Sequence, residues 1–195
     1  MLFEGQETFD HDINEVWAAL HDTDLLTRAL PGCKWMKPVG DNSYTVALSL
    51  GVAAVKGDYE GRIKVSDLKQ PTHFLIEGAG RGAPGFVELH MDCKLEAQGA
   101  GTLMRWRCDA TVGGLIASIG GRVLSGVSKF LAKQFFNAFR KELGEPGGQS
   151  AASRRTSNVH PLPGAAARAG QSRGPVSRWR AFWAALSKWF SRSPS

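Results

Sequence analysis

Residues 114–143 read GLIASIGGRVLSGVSKFLAKQFFNAFRKEL, and their apolar side chains recur at the spacing of an α-helix. We predict one long amphipathic helix over these residues, with a wide apolar face opposite a basic, solvated stripe. The basic stripe consists of Arg122, Lys129, Lys133 and Arg140. An element of this length and pattern is expected to organise the core of the domain that precedes it.

The predicted apolar face of this helix has features that a helix filling a core seldom has. Gly120 and Ala138 make the face shallow, and Gln134 places an amide in its middle. A buried amide needs a hydrogen-bond partner, since burying it without one is costly. We therefore predict that the helix forms one wall of a cavity, with plain core packing as the alternative.

The segments before this helix predict an antiparallel sheet. Apolar and polar side chains alternate through residues 43–50, 55–65, 85–98 and 102–112. Such one-sided alternation indicates a sheet with one wet face and one covered face. Together with the helices near the N-terminus, this order predicts an α+β helix-grip fold, in which a curved sheet of about six or seven strands surrounds the long helix.

The remaining elements are predicted from local signals. Short helices are expected at 13–20, capped by Asp12, and at 23–29, capped by Asp22 or Thr23. The glycine-rich residues 78–85 lie between two strands, and no helix N-terminus follows them as a phosphate-binding loop requires. We interpret residues 78–85 as a strand connection.

The inward side chains of the strands and the apolar face of the helix together form a candidate ligand site. As a core this set would be thin, because glycines remove volume where sheet and helix meet and interiors tolerate voids poorly. We predict an apolar cavity with methionine and aromatic walls, in which Gln134, or as second choice Tyr59, hydrogen-bonds the ligand. The candidate lining residues are Tyr59, Phe86, Met91, Met104, Trp106, Gly120, Val123, Val127, Leu131, Gln134 and Phe135.

The formal net charge of +6 belongs to the C-terminal region of the chain. All 18 acidic residues precede residue 150, whereas residues 150–195 carry eight Lys and Arg residues and no acid. A basic face for nucleic acid is therefore not predicted on the N-terminal domain. Residues 144–176 are rich in Gly, Pro, Ser, Ala and Arg, which predicts a disordered linker between residues 1–143 and a C-terminal helix.

Residues 177–192 predict a short amphipathic helix with large apolar side chains on one face and cations outside it. A basic helix with Trp and Phe on one side suits the interface of an anionic membrane. Docking on its own domain and binding to a partner protein are the alternatives. The predicted membrane contacts are Arg178, Trp179, Arg180, Phe182, Trp183, Leu186, Lys188, Trp189, Phe190 and Arg192.

Other classes of protein receive little support from the residues. No apolar run is long enough to span a membrane, and the N-terminus lacks the pattern of a signal peptide. Cys33, Cys93 and Cys108 are odd in number and widely spaced, which predicts reduced, buried thiols. The histidines show no ligand spacing and no catalytic pair emerges, so we expect no metal and no catalytic residue.

Several short motifs, in this order along the chain, resemble the CoxG-like family of carbon monoxide dehydrogenase proteins, which belongs to the START-like (SRPBCC) superfamily. The motifs are VWAAL at 16–20, LPGC at 30–33, VKGDYEG at 55–61, SDL at 66–68, VGG at 112–114, IGGR at 119–122 and KQFF at 133–136. The resemblance covers residues 1–143 and implies a curved sheet that grips a C-terminal helix over an apolar pocket. The family often has GGKLA where this chain has GGLIA at 113–117, so the helix start is more apolar here.

The resemblance implies an accessory protein of aerobic molybdenum hydroxylases that binds respiratory quinone and holds the enzyme at the membrane. We therefore expect a non-enzymatic protein that binds menaquinone or ubiquinone and recruits an aerobic carbon monoxide dehydrogenase, or a related hydroxylase, to the cytoplasmic face of the membrane. A tethering factor without ligand and a START-like pocket enzyme are the alternatives, because fold does not decide function. An enzyme would need a titratable pair in the pocket, and the strand patterns place Asp and Glu outside.

Overall fold

A computed structural model describes residues 1–52 and 55–144 of the chain. The elements in chain order are β1 (Leu2–Phe9), α1 (Ile13–Leu20), α2 (Thr23–Ala29), β2 (Cys33–Gly40), β3 (Ser43–Leu50), β4 (Gly57–Lys69), β5 (His73–Gly82), β6 (Gly85–Gln98), β7 (Gly101–Gly114), a 3-10 helix (Leu115–Ile119) and α3 (Gly121–Leu143). The predicted tail helix, and all of the predicted linker except Gly144, lie outside the described residues. In the described part, no helix is long and apolar enough to cross a bilayer.

The seven strands form one antiparallel sheet in the order β1-β7-β6-β5-β4-β3-β2. Strands β2 to β7 each pair with the next strand along the chain, and β1 pairs with β7. Side chains alternate between the faces of a sheet, so this register places Met91, Cys93 and Leu95 on one side, which we call the inner face. The predicted α+β fold, with a curved antiparallel sheet and a long C-terminal helix, is confirmed.

Helices α1 and α2 connect the two edge strands of the sheet, and both begin where the sequence predicts. The Asp12 side chain accepts a hydrogen bond from the backbone N–H of Asn14 at 2.8 Å. The Asp22 side chain accepts from the N–H groups of Asp24 and Leu25, at 2.9 and 3.0 Å. These bonds satisfy N–H groups that the first helical turn leaves without partners.

The prediction of a single helix over residues 114–143 is wrong at its N-terminal end. The 3-10 helix ends at Ile119, Gly120 has a φ of 88°, and α3 begins only at Gly121. A positive φ interrupts a right-handed helix and is readily adopted by glycine. A helical phase counted from Ile116 therefore does not carry over into α3, and the helix turns a different face to the sheet.

The fully buried side chains of α3 are Leu124, Phe136 and Phe139. They divide between two hydrophobic clusters on the inner side of the sheet. The C-terminal cluster surrounds the end of α3 and has as its buried members Phe9, Val16, Trp17, Ala19, Leu25, Ala29, Phe74, Cys93, Leu95, Met104, Phe136 and Phe139. The N-terminal cluster surrounds the start of α3, with Val55, Tyr59, Ile116 and Leu124 as its buried members.

The glycine-rich residues 78–85 are mainly strand, so their interpretation as a strand connection is wrong except at the turn. Strand β5 continues to Gly82 and β6 begins at Gly85. The glycines provide close packing: a Cβ added at Gly82 would lie 2.9 Å from the Cδ1 atom of Tyr59. Glycine within a strand commonly marks such a close approach.

Candidate functional site

The candidate site is the part of the inner face that lies between the two clusters, which we call the middle region. Ile63 and Leu89 from the sheet and Leu131 from α3 are half-buried, and none of them belongs to either cluster of described residues. Two inner positions nearby are glycines, Gly78 and Gly80. A Cβ added at Gly80 would have only the Glu60 carbonyl oxygen near it, at 3.9 Å. Half-buried apolar side chains beside open space are contacts that an apolar ligand can use.

Most of the predicted lining residues lie on the inner side, around the middle region. Tyr59 and Val127 are in or against the N-terminal cluster. Met91, Met104, Trp106 and Phe135 are in or against the C-terminal cluster. Leu131 lies between the clusters. That these residues contact a ligand remains a prediction.

Phe86 was predicted to line the cavity, and this position is wrong. An added Cβ at Gly113 would lie 2.1 Å from Cε1 of Phe86, so the Phe86 ring packs directly over this glycine. The guanidinium carbon of Arg81 lies 5.8 Å from the ring centroid. Phe86 alternates with the inward residues Val87 and Gly85 on β6, and its ring therefore lies on the outer face of the sheet.

Three predicted lining residues of the helix region are exposed to solvent. Gln134 and Gly120 are exposed, and Val123 has 49% of its surface accessible. The break at Gly120 explains all three, because the phase that placed them inward was counted through it. The amide of Gln134 is therefore not in the middle of the buried face, and the prediction that it faces a cavity is wrong.

Two polar groups remain on the inner side as candidates to bind a ligand. The Tyr59 hydroxyl donates a hydrogen bond to the Val55 carbonyl at 2.8 Å, and burial raises its pKa. Its proton is therefore already used. The indole Nε1 of Trp106 is buried and has no hydrogen-bond partner among the described residues. A buried donor without an acceptor is costly, so this N–H is the group that a ligand oxygen would satisfy.

Packing on both sides holds the Trp106 ring in place. It stacks on Phe136 of α3, with ring centroids 6.2 Å apart and planes at 26°. It also covers Gly5 of β1, where an added Cβ would lie 2.6 Å from Cζ2 of the indole. The sequence singled out Trp106 as an apolar wall, but nothing in the sequence indicated that its N–H lacks a partner.

One carboxylate contradicts the prediction that the strands place every Asp and Glu outside. Glu7 pairs across β1 and β7 with Met104, and so points to the inner side. Its carboxylate accepts a hydrogen bond from the Arg140 guanidinium, which also donates to the Thr8 carbonyl. Glu7 thus attaches α3 to the edge of the sheet. Among the described residues, no three His, Cys, Asp or Glu side chains converge as a metal site requires.

The buried thiols lead to a test of the packing of β6 and β7. Cys93 and Cys108 are buried as predicted, whereas Cys33 is only half-buried. Burial raises the pKa of the Cys93 thiol to about 12 and raises that of Cys108. We expect alkylation of the folded protein at about pH 8 to modify Cys33 first, since the thiolate is the reactive form. Peptide mass spectrometry with and without denaturant measures this, and Cys93 reacting as fast as Cys33 would contradict the packing.

The fold and the middle region together define a START-like helix-grip protein. The chain matches the model of the carbon monoxide dehydrogenase CoxG family over residues 5–144, and it belongs to this family. Among curated proteins, none matches the chain.

Solved structures share this fold. A conserved protein from Geobacillus kaustophilus is 35% identical, with a TM-score of 0.72 over 73% of this chain and 95% of that chain. A START superfamily protein from Mycobacterium smegmatis is 9% identical, with a TM-score of 0.59 over 73% of this chain and 96% of that chain. The structure titled Ara h 8.0201 is 15% identical, with a TM-score of 0.56 over 73% of this chain and 97% of that chain. The second and third similarities concern the fold alone.

Proposed function

We propose that this protein is a non-enzymatic accessory protein that binds a respiratory quinone, menaquinone or ubiquinone, between its sheet and α3. In this proposal it couples an aerobic carbon monoxide dehydrogenase, or a related molybdenum hydroxylase, to the cytoplasmic face of the cell membrane. Membership of the CoxG family supports the choice of partner. The observation that carries the ligand proposal is the apolar middle region beside the unpartnered Trp106 N–H.

The chemistry of a quinone suits this arrangement. A quinone has an apolar ring and an isoprenoid chain, which gain by leaving water for contacts with Ile63, Leu89 and Leu131. Its carbonyl oxygens only accept hydrogen bonds, so a donor must be supplied by the protein. Trp106 offers a donor and nothing else, whereas the Tyr59 proton is already donated to Val55.

The C-terminal residues supply the proposed attachment to the membrane. Residues 177–192 combine three tryptophans with four Lys and Arg residues and contain no acid. Each cation near an anionic bilayer contributes on the order of 1 kcal/mol, and partial burial of the aromatic rings adds to this. A tether of this kind keeps the ligand-binding domain at high local concentration near both bilayer and enzyme.

Extraction of bound lipid tests the proposal directly. Protein purified from its own host in mild detergent is extracted with organic solvent, and the extract is analysed by mass spectrometry. The expected result is a quinone in an amount comparable with the protein. A folded protein that is repeatedly empty would contradict ligand binding and would favour a tethering factor.

Trp106→Phe tests the proposed hydrogen bond. Phenylalanine keeps an aromatic ring against Phe136 but removes the N–H, so we expect quinone affinity to fall by about 1 kcal/mol, roughly fivefold in Kd. Fluorescence titration with a short-chain quinone measures the change. The control ligand is the corresponding isoprenoid hydrocarbon without carbonyl oxygens, for which the two proteins should differ little. An equal loss for both ligands would assign the effect to packing.

A further inference from the structure

The side of α3 that faces away from the sheet carries large apolar side chains in solvent. Val123 and Phe130 each have 49% of their surface accessible. They are seven residues apart, which places them on one line along the helix. Leu115, on the preceding 3-10 helix, is 71% accessible. Neighbouring exposed apolar residues of this kind mark a surface that contacts another apolar phase.

Three cations lie beside this line on the same helix. Arg122 and Lys129 directly precede Val123 and Phe130, and Lys133 continues their stripe. All three are exposed, and none forms an ion pair with another described residue. In α3 no acidic residue precedes Glu142. We call Val123, Phe130 and these three cations the outer face of α3.

We infer that the outer face of α3 contacts the surface of an anionic lipid bilayer, as a second membrane contact besides the proposed tail. The chemistry is that of a helix lying in a membrane interface, in which apolar side chains enter the acyl boundary and cations meet lipid phosphates. The inference deepens the proposed function and rests on it for its purpose, since a quinone carrier must meet the bilayer.

Charge argues against two other occupants of this surface. The basic residues 177–192 would bring cations onto a cationic face and be repelled. A second copy of the chain would place the same three cations against themselves. An anionic surface that also accepts apolar side chains is the complement of the outer face, and a lipid bilayer has both properties.

The outer face also lies beside the proposed ligand site. Leu131 follows Phe130 directly, is half-buried, and belongs to the middle region. Val127 lies one helical turn after Val123 and packs against the N-terminal cluster. A bilayer on the outer face of α3 would therefore place lipid next to the side chains that a quinone passes on its way inward.

Vesicle sedimentation of the full-length chain tests this inference. The vesicles contain equal parts of phosphatidylglycerol and phosphatidylcholine. The tail is weakened by Trp179→Ala, Trp183→Ala and Trp189→Ala, and in this background Val123→Ser with Phe130→Ser removes the apolar part of the outer face. We expect the apparent Kd for vesicles to rise about tenfold. The matched control is Val39→Ser with Leu68→Ser, at exposed apolar residues of β2 and β4, and its expected change is less than about twofold.

Two results would overturn the inference. One is a vesicle affinity that is the same for the outer-face variant and the control variant. The other is unchanged vesicle binding with lost binding to the purified hydroxylase, which would make the outer face a protein interface. Extracting quinone from the same preparations keeps the tests separate, because an empty site contradicts the proposed function and leaves the vesicle result standing.

Discussion

Phe139→Ala is expected to lower the free energy of unfolding by about 3–5 kcal/mol, because it removes a fully buried ring from the C-terminal cluster. Phe139 has 0% of its surface accessible. Its ring meets Phe9 of β1 edge-on, with centroids 5.5 Å apart, and lies 5.7 Å from the Phe135 ring. Loss of the ring leaves a cavity between α3 and the sheet. Urea unfolding followed by circular dichroism measures the change.

Phe130→Ala is the matched control for this prediction. It removes the same side chain from the same helix, but Phe130 is 49% accessible and outside both clusters. We expect a change of less than about 1 kcal/mol. The two variants also test the helix phase, since the sequence periodicity counted from Ile116 placed Phe130 on the buried face. Equal losses at both positions would contradict the packing of α3.

Elements with local signals could be predicted from the sequence to the residue. Helices α1 and α2, strands β3 and β6, and the caps at Asp12 and Asp22 have the predicted bounds. In each case the deciding physics lies within a few residues, either in a capping side chain or in strict alternation. Cap chemistry and a period of two residues need no knowledge of the rest of the fold.

The face of α3 could not be predicted in the same way, because it depends on one backbone angle. Gly120 and Gly121 signalled a break, but the phase of the following helix depends on how the chain passes through Gly120 at a φ of 88°. An error of a third of a turn was enough to exchange Gln134 for Phe136 on the buried side. The position of Phe86 was predictable, since its parity on β6 already placed it opposite Leu89.

The unpartnered N–H of Trp106 belongs to a third class of feature. Strand alternation correctly placed the ring inward, but whether its nitrogen finds an acceptor depends on side chains from β1 and α3. Hydrogen-bond satisfaction is a property of the assembled interior. The same holds for the open space at Gly80, which arises because its strand neighbours leave the position uncovered.

Gly80→Leu is expected to reduce the quinone recovered from the purified protein by about tenfold or more, while the fold is retained. The added side chain would extend from the inner face into the middle region, where the nearest atom to a new Cβ is 3.9 Å away. Gly80 is not among the glycines with positive φ, so a leucine can adopt its backbone conformation. Replacing glycine also restricts the unfolded chain, and the free energy of unfolding is therefore expected to stay the same or rise.

Ala79→Leu is the control, because it adds a similar apolar volume to the same strand on the exposed outer face. It should leave the quinone content unchanged, so that a loss confined to Gly80→Leu would locate the ligand between the sheet and α3. Solvent extraction and mass spectrometry of both variants, with urea unfolding of each, give the two readouts together. A Gly80→Leu protein that is folded and still carries wild-type amounts of quinone would place the ligand elsewhere. If wild type carries no quinone and Gly80→Leu is simply more stable, the middle region is a poorly filled core.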